Sequence, residues 1–192
     1  MSDSDTDSDE SIGENLQILI SNLDKSDYDG HLKIIKRAKD EGELDILRDS
    51  REKFAASFPL TEELWLEWID DEKKLIEDDT GHETLIEPLF ERGVKDYLSP
   101  KLWFEYIQYA IRYLGQEDGL KRFRALCERA IQKIGIHPEH GAQIWEVYRE
   151  TEKMIESDDK KEKIANLFKR QCSLPIYQLE ETYKEFKQFN QV

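Results

Sequence analysis

The chain has 192 residues, with 43 acids against 28 bases, a formal charge of −15, and 38% hydrophobic beside 37% charged side chains. That balance argues against a chain whose affinity comes from neutralising phosphate backbones, which takes an excess of Lys and Arg. No apolar run approaches the ~20 residues of a membrane span, and the N-terminus is acidic where a secretory leader would be basic and then apolar.

In chain order, the first fourteen residues, MSDSDTDSDESIGE, carry six acids and neither a base nor an aromatic. Such a composition cannot bury enough apolar surface to fold. Residues 1–13 therefore read as a disordered acidic tail. Its alternating hydroxyls and acids make Ser2, Ser4, Thr6, Ser8 and Ser11 candidate phosphorylation sites for acid-directed kinases.

From residue 14 onward one pattern recurs. Trp65-x-x-Trp68 is followed by Trp103-x-x-Tyr106, by Trp145-x-x-Tyr148 and, more weakly, by Tyr183-x-x-Phe186, with a faint copy at Tyr28. The steps from Tyr28 are 37, 38, 42 and 38 residues. Between the aromatic segments lie LFERGV from Leu89, LCERAI from Leu126 and LFKRQC from Leu167, advancing by 37 and 41. Self-similarity at this period marks a repeat array, each repeat being one supersecondary unit.

Both segments have helical periodicity. Leu102, Trp103, Tyr106, Ile107, Ala110 and Leu114 share one face, as do Phe123, Leu126, Cys127, Ala130, Ile131 and Ile134. No run reads as a strand. The elements are a short capping helix over 14–24, then pairs at 28–40 with 43–57, 61–77 with 84–98, 100–114 with 117–135, and 138–156 with 158–173. A last unpaired helix covers 176–190. Ser99-Pro100 supplies an N-cap and a first-turn proline. Thr84 and Glu87 have capping-box spacing, which would put Pro88 harmlessly in the first turn. The fold class is all-α, a right-handed α-solenoid of antiparallel helix pairs, with about four and a half repeats over 14–192.

The aromatic pairs Trp65, Trp68, Trp103, Tyr106, Trp145, Tyr148, Tyr183 and Phe186 are read as core between paired helices. A base-stacking platform would need exposed rings beside bases. Arg92, Arg129 and Arg170, with Glu67, Glu105 and Glu185, are polar residues held in register with that core. They read either as a solvated face or, preferably, as bonds across and between repeats. The basic clusters at Lys33, Lys36 and Arg37 and at Lys160, Lys161 and Lys163 read as solvated faces, since acids follow or interrupt each of them. The two cysteines read as free, buried thiols of a reducing compartment.

Chemistry-bearing constellations are weak. His137-x-x-His140 has no third ligand at a usual spacing, so it reads as a cap near Pro138 rather than a metal pair. No phosphate loop, zinc-protease helix or nucleophile elbow occurs. No catalytic, cofactor-binding or metal-binding residue is assigned, and the chain is read as a non-enzyme.

The paired-helix period with W-x-x-[WY] and E-R-[AG]-[IV] resembles the HAT (half-a-tetratricopeptide) repeat. It departs from the 34-residue tetratricopeptide, because no Leu-Gly follows the tryptophans. FPLTEELWLEWIDDE, VKDYLSPKLWFEYIQY, GLKRFRALCERAI and RQCSLPIYQLEETY are similar in order and spacing to the N-terminal HAT region of the family of the squamous-cell-carcinoma antigen recognised by T cells, the U4/U6 snRNP recycling factors. The resemblance runs from about Tyr28 to Phe189. It implies a nuclear, protein-binding scaffold in spliceosomal RNA processing whose partners are splicing and snRNP factors. Members of that family help re-anneal U4 and U6 RNAs and recruit ubiquitin-specific proteases. Those activities belong to later repeats and RNA-recognition motifs that have no counterpart in these residues, so they are not carried over, and the chain reads as a fragment of a longer protein. The alternatives are a HAT scaffold of pre-mRNA 3′ cleavage or ribosomal RNA maturation, or a solenoid that binds RNA directly. The stripe of Leu179, Tyr183, Phe186 and Phe189 has no following helix to cover it, which makes self-association through the last helix an expectation as well.

Overall fold

The computed structural model describes residues 15–76 and 82–191. The acidic tail with its five hydroxyl positions lies outside the described residues. Among the described residues there is no strand. The α-helices are α1 (15–21), α2 (Tyr28–Asp40), α3 (Leu44–Ser57), α4 (Glu62–Leu75), α5 (Glu87–Asp96), α6 (Pro100–Ala110), α7 (Gly119–Ile134), α8 (Gly141–Met154), α9 (Lys160–Cys172) and α10 (Leu179–Phe189). None is long and apolar enough to cross a membrane. The chain divides into two compact units, one ending at Leu75 and the other starting at Ile76.

In the first unit α2 and α3 form an antiparallel pair. Gly42 adopts φ +77°, a left-handed conformation that costs glycine little. The chain closes there in a Schellman turn, with Glu43 N–H donating to the Ala38 carbonyl at 2.9 Å. The pair buries Ile34, Ile35, Ala38, Ile46, Leu47 and Phe54. The His31 ring stacks on Phe54 at 5.3 Å. In α4 the rings of Trp65 and Trp68 stack 5.5 Å apart on the buried side. Two turns beyond Trp65 stands Glu72, also buried, and Arg48 of α3 donates to both its carboxylate oxygens at 2.7–3.2 Å.

In the second unit α5 packs on α6, α6 on α7 and α8, α8 on α7 and α9, and α9 on α10. This is a sequential stack in which each helix touches its chain neighbours. Its core holds Phe90, Leu102, Ile107, Phe123, Cys127, Ala130, Ile144, Trp145, Ile164 and Phe168. Ser99 caps α6, its hydroxyl accepting from Leu102 N–H at 3.0 Å, with Pro100 in the first turn. Gly119 opens α7 hard against the preceding turn. A Cβ there would lie 1.7 Å from the Tyr113 carbonyl oxygen, so no side chain fits.

Boundaries differ from the sequence reading in instructive ways. Thr84 does not cap α5. The α-helix begins at Glu87 with Ile86 at the N-cap position and no side-chain bond, and a π turn, His82–Ile86, leads into it. Pro88 has no N–H to offer the Thr84 carbonyl, so the ordinary α-helical bond cannot close there. Pro88 itself does fall in the first turn. The third aromatic helix ends at Ala110 and tightens into a 3₁₀ turn, Ile111–Tyr113. Its successor starts at Gly141 rather than 138, because residues 137–140 form a turn closed by Gly141 N–H on the His137 carbonyl at 2.9 Å. The last helix starts at Leu179 rather than 176, after Gln178 turns left-handed at φ 65°.

The α7–α8 packing contains a second bidentate pair on a buried carboxylate. Arg124 donates to both oxygens of Glu152 at 2.7 and 2.8 Å, and the Glu152 side chain is only 1% exposed. Arg124→Met strands that carboxylate and should cost about 3–5 kcal/mol, whereas Arg124→Met with Glu152→Leu should recover most of the loss. Urea unfolding of the two variants checks this. A single variant as stable as the unmodified chain would show that the pair contributes nothing.

Candidate functional site, a protein-binding surface

The repeat residues sort into those packed in the interior and those left at the surface. Trp65, Trp68, Trp103, Tyr106, Trp145 and Tyr148 are all buried. Tyr106 stacks on Phe90 at 4.8 Å, and its hydroxyl donates to Glu91 at 2.9 Å. Burial, followed by the nearby Glu91 charge, pushes its phenol well above the ordinary range. Tyr183 is different. It is 50% exposed, with the Lys187 ammonium 4.6 Å from its ring centroid. Phe186 and Phe189 of the same helix lie half-buried against Phe168, at 5.3 and 5.7 Å.

The arginines of the second segments build a ladder. Arg129 of α7 reaches back to Glu91 of α5 with two bonds, 2.7 and 2.8 Å, while its guanidinium lies 5.5 Å from the Trp103 ring centroid. Arg170 of α9 repeats the arrangement on Glu128 of α7, at 2.8 and 2.7 Å, with Trp145 at 5.2 Å. Each rung joins a charge-assisted fork to a cation–π contact. The Arg129 guanidinium beside Glu91 holds its carboxyl below the usual range against the opposing effect of burial. Arg92 stands at the same register in α5, half-buried.

The first-segment glutamates go elsewhere. Glu67 accepts from Lys39 at 2.6 Å. Glu185 lies 3.4 Å from Arg149. Glu105 forms no ion pair among the described residues. Arg149 is buried over the Phe168 ring at 4.3 Å and bonds Gln171. Desolvation lowers its pKa. It lines a cleft of about 290 Å³ with Glu146, Glu181 and Glu185.

The pairs Arg48–Glu72 and Arg124–Glu152, each with a buried carboxylate, were not read from the sequence. Their signal was present, because Glu72 and Glu152 follow Trp65 and Trp145 by seven residues, two helical turns along the buried face. An acid at a core register asks for a base within reach.

Cys127 is buried and free, and burial pushes its thiol up, away from the reactive thiolate. Cys172, expected to be buried, is only half-buried because it ends α9. His137 Nδ1 accepts from His140 N–H at 3.3 Å, and the two imidazoles stack at 5.2 Å. Among the described residues no three His, Cys, Asp or Glu groups are placed to hold a metal ion.

A family model described as the PRP39 N-terminal HAT repeat matches residues 17–188. The spliceosome associated factor 3, U4/U6 recycling protein, of Mus musculus is 43% identical over 165 residues, covering 86% of this chain and 17% of that protein. Its Homo sapiens counterpart is 41% identical over the same length and shares. The mRNA 3′-end-processing protein RNA14 of Gibberella zeae is 24% identical over 188 residues, covering 91% of this chain and 18% of that protein. The chain thus spans less than a fifth of these relatives.

Trp103 and Trp145 occupy equivalent places but differ at one atom. Trp145 Nε1–H donates to the Gly135 carbonyl at 3.0 Å, whereas Trp103 Nε1 is buried without an acceptor among the described residues. Trp145→Phe, which leaves that carbonyl unpaired, should cost about 1–3 kcal/mol more than Trp103→Phe. Equal losses in chemical denaturation would contradict the assignment.

Proposed function

The chain belongs to the PRP39 N-terminal HAT repeat family, and from that membership we propose that it is a non-enzymatic, protein-binding scaffold of nuclear RNA processing, of the kind that serves U4/U6 recycling. The support for the particular process is the 41–43% identity with mammalian U4/U6 recycling proteins across most of the chain. The observation that carries the scaffold reading is the use made of the rings and bases. The W-x-x-[WY] rings of three successive repeats are buried, and Arg129 and Arg170 sit on two of those rings while pairing with carboxylates. Neither the rings nor those arginines are free to stack on bases or neutralise phosphates, the two devices of single-strand binding.

A nuclear location follows by similarity to the same relatives. A second reading is a scaffold in mRNA 3′-end processing, favoured by the weaker similarity to fungal RNA14 proteins.

The immobilised chain should retain U4/U6 snRNP proteins from nuclear extract in preference to 3′-end cleavage factors. The opposite preference would promote the second reading. In parallel, titration with U6-like RNA at physiological salt should give no affinity tighter than the ~10⁻⁴–10⁻⁶ M of non-specific contacts. Sub-micromolar binding would overturn the scaffold reading in favour of an RNA-binding solenoid.

A further inference from the structure

One cavity of the first unit is lined by two polar groups that the surrounding residues do not satisfy. It measures about 480 Å³ and lies between α1, the turn that follows it, α2 and α3. That size is within the ~300–1,000 Å³ of ligand pockets. Its walls are apolar, with Ile20 and Leu23 on one side and Ile34 and Ala56 on the other. At its buried end stand His31 of α2 and Ser50 of α3, 5% and 3% exposed. His31 Nε2 and Ser50 Oγ are buried with no hydrogen-bond partner among the described residues. Ser50 precedes Phe54 by one helical turn, and the His31 ring stacks on Phe54, so the two groups belong to one patch of the wall. Orphaned buried polar atoms are rare in native proteins, and here two line the same cavity. No carboxylate is among the described residues that line it. Lys25 and Lys53 are exposed at its mouth, and Lys53 already pairs with Asp49 at 2.6 Å.

We propose that this cavity docks a tyrosine side chain of a partner protein, with the ring between the apolar walls and the hydroxyl on His31 and Ser50. A phenolic hydroxyl both donates and accepts, so it serves an imidazole nitrogen and a serine hydroxyl together. Phenylalanine would leave both groups unpaired, and a tryptophan N–H only donates. An arginine or lysine tip would lose its water with no counter-charge among the described lining residues. Tyrosines seated in desolvated pockets are frequent anchors of protein interfaces. The surroundings suit a macromolecule. Two further hollows of the same unit, about 440 and 540 Å³, share walls with the cavity, one through Ile20, Ser21 and Lys53 and the other through Leu23 and Ile34. Leu19, 44% exposed, lines the second of them. A protein surface around the tyrosine has these hollows to fill, whereas a free phenol has none of that contact. This inference rests on the scaffold reading for taking the tyrosine to be a protein's, and it deepens that reading by naming where the partner is gripped.

The probes are N-acetyltyrosinamide, N-acetylphenylalaninamide and p-cresol, titrated into the full isotope-labelled chain and followed by the amide shifts of His31 and Ser50. The tyrosine analogue should bind about tenfold tighter than the phenylalanine analogue, because only its hydroxyl pairs the two buried groups. His31→Phe with Ser50→Ala keeps a ring on Phe54 and removes both polar groups, so it should level the two affinities. Ala56→Phe, at an exposed position on the mouth, should block both analogues without touching the core. Equal affinities for the unmodified chain, or binding by neither analogue, would overturn the proposal, and neither outcome depends on a variant that folds. Binding of p-cresol without the tyrosine analogue would overturn it in favour of a small phenolic ligand. Failure to capture snRNP proteins with the tyrosine preference intact would remove the RNA-processing assignment and leave this site standing. Capture without that preference would remove this site alone.

Discussion

Two guanidinium groups hold the second unit in register. Arg129 and Arg170 each lie between an indole and a carboxylate contributed by two different helices, so each ties three helices at once. A stack of amphipathic helices has no long-range contacts to fix how one pair sits on the next. Apolar faces alone tolerate sliding, because dispersion and burial are non-directional. A fork-shaped donor resting on a ring is directional in both partners. The aromatic residues are large because they must fill the space between helices, and the arginines are conspicuous because they must choose one placement within it.

This division explains which parts of the molecule were legible beforehand. The helices were legible because a 3.6-residue period of large apolar residues has one reading, and Trp103, Tyr106 and Ile107 left no alternative for α6. Ends were legible where a cap has a local mechanism, as at Ser99-Pro100. They were not legible where the backbone met another turn, as at Gly141, or where a proline and a cap competed, as at Thr84 and Pro88. The ladder was half-visible. Arg129 and Arg170 stood out, yet their acceptors are the glutamates of the E-R dipeptide one repeat earlier, and a sequence does not say which copy of a repeated acid a repeated base will choose. The buried carboxylates were hidden by composition. Among 43 acids, Glu72 and Glu152 look like any others until their seven-residue distance from a tryptophan is noticed.

The same economy bears on function. A protein that commits its rings and many of its bases to its own packing recognises partners by shape and by what remains at helix ends and exposed faces. Relatives at 43% and 24% identity to this chain carry the names of two RNA-processing pathways, U4/U6 recycling and mRNA 3′-end processing.

The two rungs also differ in how much chain they enclose. Arg129 and Glu91 are 38 residues apart, while Arg170 and Glu128 are 42 apart, yet the bonds are the same to within 0.1 Å. The helix of 141–154 has as many residues as α6 together with its 3₁₀ turn, 100–113, so the added length shows chiefly between α7 and α8, where residues 135–140 do what 97–99 do between α5 and α6. Loop-closure entropy grows only slowly with length. Evolution can lengthen or shorten the chain at such joints without re-cutting the lattice of side chains, so a repeat array of this kind drifts in period while it stays fixed in register.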